Sequence, residues 1–422
     1  MPTISAGALK RMLSLPSNIV VRKPRIGEDP HGGTVVTVPV RPYANDMDRC
    51  AKCGRHGRPY DWLGTRRWRH LDLGCARLLL EYAPPRVACR EHGVTVAMVP
   101  WARRKSAYTR DFEQQVAWLS VHAPRSAVSA LMRIDWKSVG PVCKRVADDL
   151  RAEQGGGLFD GLRSIGVDET SYRKGHRYMT VVVDHDRGRV VWMHEGHGEG
   201  VFRLFFETLT EAQRASIRVV TGDGARWIDS CVGEFCPQAE RILDGFHIVS
   251  WATDALDKVR TMVWREARRT GEARKGAKDP IKGARWALLK NESDLTAGQK
   301  ARLEYIAGTN GTLWRAYKLK EELRMILRQP ADEARVLLLR WSGKAASSGI
   351  DPFTGLGEKI GRRCEDIVRT IRSGLSNARL EAVNNKIKTT IKIGYGYRNL
   401  DNLIALVMLK CGGLDLTLPG HQ

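Results

Sequence analysis

The sequence predicts a multidomain α+β chain: a small zinc-binding module and a helix-turn-helix near the N-terminus, then an α/β core interrupted by an all-helical insertion. Three observations predict it. Two Cys/His pairs lie between Cys50 and His92, hydrophobic periodicity changes from helical to extended after Gly155-Gly156-Gly157, and it returns to helical from about residue 253 to 371. At 422 residues the chain exceeds what one hydrophobic core usually serves, and its 42% hydrophobic content is ordinary for globular proteins, so two or three modules are expected.

Lys and Arg number 69 against 47 Asp and Glu, a formal net charge of +22 that suits a phosphate-rich partner, with nucleic acid the first expectation. No stretch approaches the ~18 consecutive apolar residues of a membrane span, and MPTISAGALKRMLSLPSN has too short an apolar run for a signal peptide. A cytoplasmic, nucleoid-associated protein is therefore expected. In that reducing compartment nine cysteines do not read as a disulfide framework, and the odd count cannot all pair within one chain. The scattered Cys75, Cys143, Cys231 and Cys411 read as small buried apolar residues.

Residues 1–45 are punctuated by Pro and Gly, alternate briefly from Thr34 to Val40, and read as a loosely organised arm. Residues 46–100 hold Cys50-x-x-Cys53 and Cys89-x-x-His92, each pair spaced so that a tight turn can aim both side chains at one ion. Four such ligands match structural zinc, which closes a domain too small to bury a sufficient core; His56 and Cys75 are the alternative ligands. Residues 105–152 read as a helix-turn-helix. A helix over Thr109 to His122 aligns Phe112, Val116 and Leu119, and helices over Arg125 to Met132 and roughly Ser138 to Asp149 flank the turn Arg133 to Trp136. The last of these would carry Lys137, Lys144 and Arg145 to DNA, and Pro141 suggests that it begins late.

From residue 160 to 252, SIGVDET, YMTVVVDHD and RVVWMHEG read as consecutive strands. A helix near Gly200 to Leu209, the strand RVVTGD, a helix from Ala225 and a strand ERILDGFH follow, the order of an RNase H-like fold. Residues 253–371 form the helical insertion, and 372–415 the final helix of the core with the C-terminal segment. Within the insertion, Arg265 to Arg285 has eight basic residues against three acidic, equally readable as a solvated face or a DNA-backbone contact.

Asp168 emerges near the end of the apolar strand IGVDET, and a buried charge there is costly unless paired or metal-bound. Asp223 ends VVTGDG, between glycines that would leave room for a phosphate or metal. Glu381 shares a helical face with Asn384, Asn385 and Lys388. Phosphodiester cleavage needs an in-line water or 3′-hydroxyl and stabilisation of charge on both oxygens, which two Mg²⁺ (or Mn²⁺) ions about 4 Å apart supply through hard carboxylate ligands. Two strand-end aspartates and a helical glutamate fit that requirement. Glu169 and Asp184 compete, although alternation points Glu169 away from the Asp168 face.

Together the Cys/His pairs, the helix-turn-helix, IGVDET, TGDGA, DGFH, RWALLKN…AYKLKEELR and SNARLEAVNNKIKTTIKIGYGYRN resemble bacterial insertion-sequence transposases of the ISL-three family, over roughly residues 48 to 412. The resemblance implies an RNase H-like catalytic core with Asp168, Asp223 and Glu381 as a DDE metal triad, and N-terminal modules that recognise terminal inverted repeats. It also implies that Asp244 orients His247 near the metal site or the scissile phosphate, a structural hydrogen bond being the alternative, and that Arg379, Lys386, Lys388, Lys392 and Arg398 hold the DNA backbone. Tyr395 and Tyr397 either stack on bases or pack, with packing favoured. Ala378 and Arg379 depart from the family pattern, in which glycine or proline would be less surprising. A DNA-binding repressor or domesticated remnant would not need the acids, and an RNase H-like nuclease would not need the zinc module. A homodimer or higher oligomer on double-stranded DNA is expected, because synapsis brings two ends together.

Overall fold

The computed structural model describes residues 5–29, 32–271, 280–374 and 378–420, with side-chain surroundings for all of these except 156, 378 and 379. The expectation for Arg379 thus lies outside the described residues, as does most of the basic run after Gly271. The chain divides into two compact units, Met1–Leu158 with Thr389–Gln422, and Phe159–Lys388.

The first unit opens with α1 (Ala6–Met12), β1 (Ile19–Val21), β2 (Arg25–Glu28) and β3 (Thr34–Pro42). It continues through β4 (Arg58–Trp62), β5 (Arg66–Leu73), β6 (Ala76–Tyr82), β7 (Pro85–Cys89) and β8 (Gly93–Val96). The N-terminal residues are not a loose arm. β1, β3, β6 and β5 form one sheet in that order with β2 on the edge of β3, and Val36, Val38 and Val40 alternate into a core with Trp68, Leu78, Leu80 and Trp101. Besides its local partners β1 and β2, β3 has a parallel partner distant in sequence, Val35 opposite Arg77, of which local turn residues gave no sign.

His70 lies within this core, its Nδ1 2.8 Å from the Thr109 hydroxyl and its Nε2 3.1 Å from the Leu13 carbonyl. Burial pushes its pKa down to about 4, so the native ring stays neutral where an unfolded histidine, near 6.5, takes up a proton. The unfolded chain then binds the extra proton. Stability from this residue is full above pH 6.5 and is lost as pH falls from 6.5 towards 4, by at most about 3 kcal/mol. Urea unfolding of wild type and His70→Asn across pH 4–7 is expected to give a shallower pH slope for the variant. Parallel slopes would show that His70 does not titrate this way.

The helices α2 (Arg110–His122), α3 (Arg125–Met132) and α4 (Trp136–Glu153) follow. Thr109 caps α2 by accepting from Phe112 N, and Asp135 caps α4 by accepting from Lys137 N at 2.7 Å. The cap starts α4 earlier than Pro141 suggested. The proline sits exposed within the helix, where it removes only the bond to the solvent-facing Lys137 carbonyl. Arg133 closes α3 in the left-handed conformation, φ 52°, which makes the turn between the two helices.

Glu113 on α2 is fully buried, a position its charge did not suggest. It accepts from Ser106 Oγ at 2.7 Å and Arg145 Nε at 2.7 Å and pairs with Arg103 at 3.3 Å, while Arg103 and Arg110 share Asp149. A buried carboxylate between two guanidiniums adds little net stability, but removing it leaves buried positive charge unbalanced. Glu113→Ala is expected to destabilise the first unit by about 3 kcal/mol, read as a lower urea midpoint at unchanged m-value. A change below about 0.5 kcal/mol would mean that Asp149 and water suffice.

The second unit is built on β9 (Ser164–Arg173), β10 (Arg177–Asp184), β11 (Arg189–Glu195), β12 (Val219–Gly222) and β13 (Glu240–Leu243), ordered β11-β10-β9-β12-β13. The first three form an antiparallel meander, and β12 then joins β9 in parallel, followed by β13. The crossovers are α5 (Glu199–Glu207) with α6 (Glu211–Ser216), and α7 (Arg226–Phe235). Phe202, Phe205 and Phe206 of α5 are wholly buried, Phe202 stacked on Phe205 and edge-to-face with Phe206. Asp184 is consumed structurally: fully buried, it accepts from the backbone N–H groups of Asp186 and Arg187 in the β10–β11 turn and pairs with Arg187. Cβ on Gly166 would lie 2.5 Å from the His185 ring, which bonds Thr221, so glycine is required where β9 meets β12.

DGFH is a helix start rather than the end of a strand. Asp244 accepts from Phe246 N and caps α8 (Gly245–Arg269). After it come α9 (Arg285–Leu289), α10 (Ala297–Thr309), α11 (Gly311–Ile326), α12 (Ala331–Ala346), α13 (Asp351–Arg362) and α14 (Cys364–Ser373), which share a large apolar core around Trp341, Phe353, Leu323 and Ile306.

The helix α15 (Ala378–Ile393) begins in the second unit and ends in the first, and α16 (Leu400–Cys411) belongs wholly to the first. The C-terminal residues from 389 therefore do not continue the α/β unit as expected. They complete the helix-turn-helix instead, with α16 so close on α4 that a Cβ at Gly140 would lie 2.5 Å from Asn402 Nδ2. Tyr397 is buried with the Arg125 guanidinium 5.1 Å from its ring, whereas Tyr395 is 98% exposed and does not pack. Among the described residues no helix is long and apolar enough to cross a membrane.

Candidate active site and metal centre

The first site is the cysteine cluster. β4, β7 and β8 form a separate three-stranded sheet whose buried apolar core comprises only Cys50, Val87, Cys89 and Ala97. Cys50, Cys53, Cys89 and His92 bring one ligand atom each within 4.8 Å of one another. Cys53 Sγ lies 3.7 Å from Cys89 Sγ, and His92 Nδ1 lies 3.9 Å from Cys50 Sγ and 3.8 Å from Cys89 Sγ. A tetrahedron with Zn–S bonds of 2.3 Å has edges of about 3.8 Å, so the spacing fits zinc. His92 holds the Cys89 thiol down at about 6, assisted by the backbone N–H groups of Glu91 and His92, and so favours the thiolate that binds metal. The alternative ligands stand apart: His56 pairs with Asp48 at 2.7 Å, and Cys75 is exposed in the β5–β6 turn rather than buried. Cys143 and Cys231 are buried, and Cys411 is half-buried.

The acidic residues lie in the second unit. In the parallel pair, Thr221 is opposite Gly166, two residues before Asp223 and Asp168 in their respective segments. Burial raises the Asp168 carboxyl; the Glu169 N–H and His247 lower it, the Asp223 charge raises it again, and Asn384 lowers it. Asp168, Asp223 and His247 therefore occupy one electrostatic neighbourhood. His247 Nε2 is 3.6 Å from Asp244 Oδ2, and Asp244 itself is spent on the α8 cap.

The second strand end is braced by arginines. Arg241 is buried beneath it, donating to the carbonyls of Val220, Gly222 and Asp223 and pairing with Asp229 at 3.1 Å. Arg363 donates to Gly224 O at 3.1 Å and to Asp229. The glycines around Asp223 are not open space for a ligand. A Cβ at Gly222 would meet Ile228 at 2.9 Å, and one at Gly224 would meet the Trp251 indole at 2.6 Å, so both glycines serve close protein packing.

From α15, the buried Asn384 donates through Nδ2 to Asp168, leaving its Oδ1 buried without a partner. Glu381 lies one turn earlier on the same helix and is exposed. It does not close a compact cluster: among the described residues the cysteine site is the one group of three or more Cys, His, Asp or Glu with ligand atoms within 4.8 Å of each other. Like charges do not converge without a counter-ion. An unpartnered hard oxygen beside a desolvated carboxylate fits a divalent cation. Glu169 accepts from Gly198 N at 2.8 Å, at the start of α5.

Of the basic residues, Lys137, Lys386, Lys388, Lys392 and Arg398 are exposed. Lys144 pairs with Asp148 at 3.0 Å, and Arg145 is engaged by Glu113. Sequence reasoning had placed Asn384 on the polar face of its helix without a role, and it missed Arg241, Trp251 and Lys359. These act through contacts between distant segments, which no local pattern announces.

Two family models match the chain. One, described as a transposase, matches residues 165–407, and the other, the helix-turn-helix domain of transposase family ISL3, matches residues 97–147. The transposase for insertion sequence element IS1557, from two strains of Mycobacterium tuberculosis, is 41% identical over 98% of this chain and 97% of its own length. The transposase for insertion sequence element IS1001 of Bordetella parapertussis is 29% identical over 88% of this chain and 90% of its own length. With both the helix-turn-helix and the acid-bearing unit matched, and relatives aligned nearly end to end, the chain belongs to the ISL3 family of DNA transposases.

Proposed function

We propose that this transposase cuts and rejoins DNA at the terminal inverted repeats of its insertion sequence, with Asp168, Asp223 and Glu381 as a metal-binding DDE triad on an RNase H-like core. The strand order β11-β10-β9-β12-β13 supports the core assignment, and the helices from α8 to α14 then constitute an insertion ahead of its last helix, α15. The observation that carries the reading is the Asn384–Asp168 bond. It ties α15, the helix that carries Glu381, to Asp168 on β9, whose carboxyl also feels the Asp223 charge.

Divalent ions bound there, Mg²⁺ for preference, would supply Lewis-acid stabilisation of the attacking and leaving oxygens. The protein's own part is to hold the carboxylates. Asn384 fixes the Asp168 rotamer, Arg241 and Arg363 brace the backbone after β12, and Asp244 sets the start of α8 so that His247 faces the site. Lys137 and Lys144 on α4 are assigned to the end DNA, with Arg145 as their support through Glu113. Lys386, Lys388, Lys392 and Arg398, with Arg379, are assigned to the backbone near the cut. A homodimer or higher oligomer would hold two ends together.

Purified protein incubated with inverted-repeat DNA and Mg²⁺ tests this. Cleavage followed by joining of the new 3′-hydroxyls to target DNA is expected. Binding without cleavage would instead indicate a repressor, and cleavage without joining a nuclease.

A further inference from the structure

The α8–α14 segment carries a cation to the candidate site that none of these roles uses. Lys359 on α13 holds its ammonium 3.4 Å from the centroid of the Trp251 ring. Trp251, on α8, is the indole whose edge abuts Gly224, so the ring that carries the ammonium on its face touches the backbone directly after Asp223. Burial pushes the Lys359 amine down from its ordinary value, and the Asp223 carboxylate pulls it back up. The neighbouring cations are occupied: Arg363 is tied to Asp229, Asp366 and a carbonyl, and Arg241 to Asp229 and four carbonyls. Among the described residues, the Lys359 ammonium has the Trp251 ring as its contact and forms no ion pair.

An ammonium resting on an indole face, partly stripped of water, close to a carboxylate but not paired with it, is an unfilled site for an anion. The ring fixes its position without using its N–H donors, and water exclusion strengthens its field on whatever it meets. In an enzyme whose substrate is a phosphodiester backbone, that anion is a phosphate oxygen. We propose that Lys359 is a catalytic residue that donates to a non-bridging oxygen of the scissile phosphate held at Asp223, offsetting the charge that develops there during cleavage. This rests on Asp223 being part of the cleavage site.

The test uses the full-length protein on inverted-repeat DNA with Mg²⁺, in single turnover at saturating DNA. Lys359→Met keeps the stem and loses the charge, and it is expected to slow cleavage about 100-fold while leaving end binding and the melting temperature unchanged. Lys359→Arg keeps both the charge and the ring contact and is expected to recover at least about tenfold of that loss. A methylphosphonate at the scissile position removes the charged oxygen, and on this substrate wild type and Lys359→Met are expected to differ by less than about threefold.

Cleavage by Lys359→Met at the wild-type rate overturns the proposal, as does the same 100-fold defect on the methylphosphonate, which would indicate a packing role. If Lys359→Met does not fold, the methylphosphonate comparison with Lys359→Arg decides. An Asp223→Asn variant run in parallel separates the two readings: if it still cleaves, the carboxylate assignment fails, and if it is dead while Lys359→Met is active, only the lysine proposal fails.

Discussion

Asp223→Asn is expected to lower DNA cleavage by about three orders of magnitude while the protein melts at the same temperature or higher. The loss follows from exchanging an anionic oxygen for a neutral amide at a site whose proposed task is to hold divalent cations; withdrawing several kcal/mol of transition-state stabilisation is about a 10³-fold effect. The preserved stability follows from the neighbours. The Asp223 charge raises the cost of ionising Asp168. Neutralising one relieves the other, so the Asp168 carboxyl, raised first by burial, is expected to titrate lower in the variant. The side-chain bond from Asp223 to Ala225 N, 3.0 Å, survives because the amide oxygen also accepts. Single-turnover cleavage with calorimetry on the same preparation checks both halves. An active variant would remove Asp223 from the site, and an inactive variant that melts well below wild type would mean that its role is structural.

The parts of the molecule that were legible in the sequence are those fixed by short spacing. Cys50-x-x-Cys53 and Cys89-x-x-His92 announce a tetrahedral cluster because each pair sits in one turn, and SIGVDET, YMTVVVDHD and RVVWMHEG announce a meander because consecutive strands pair with their neighbours. Asp168 was read as ending an apolar strand but lies in the middle of β9, whereas Asp223 does follow directly on β12. What stayed hidden depends on partners far along the chain. The strand β3 looked like part of an arm because one of its partners, β6, lies some forty residues away, and α16 looked like a continuation of the α/β unit because nothing local ties it to α4. DGFH was misread for a different reason: its apolar residues continue the strand pattern, but the Asp244 side chain captures a backbone N–H and starts a helix at once. The glycines flanking Asp223 suggested space for a ligand, when a Val167 side chain and a Trp251 indole take that space. Glu113 was invisible because a buried acid needs two arginines, and one of them, Arg145, was expected to face DNA.

Zinc removal is expected to unfold one part of the first unit and spare another. The sheet β4-β7-β8 has an apolar core of four small buried side chains, too little to offset the entropy of ordering its strands and loops. Structural zinc contributes on the order of 10 kcal/mol in domains of this kind, so an ion held by the cluster would decide whether this sheet forms. The adjoining sheet β1-β3-β6-β5 has its own core around Trp68, Leu78, Leu80 and Trp101 and draws nothing from the cluster. Hydrogen exchange after chelation is thus expected to show protection lost across residues 85–96 and retained across 34–42 and 76–82, with one zinc released per chain. Cys89→Ser is expected to reproduce that pattern without chelator, since it removes the ligand whose thiol His92 holds lowest. Because β6 leads into β7 through only Ala83 and Pro84, the boundary between the protected and exchanging segments should fall there. Protection that survives chelation in both sheets would mean that the thiols and imidazole hold the module by packing alone, and uniform loss would mean that the two sheets fold as one cooperative unit.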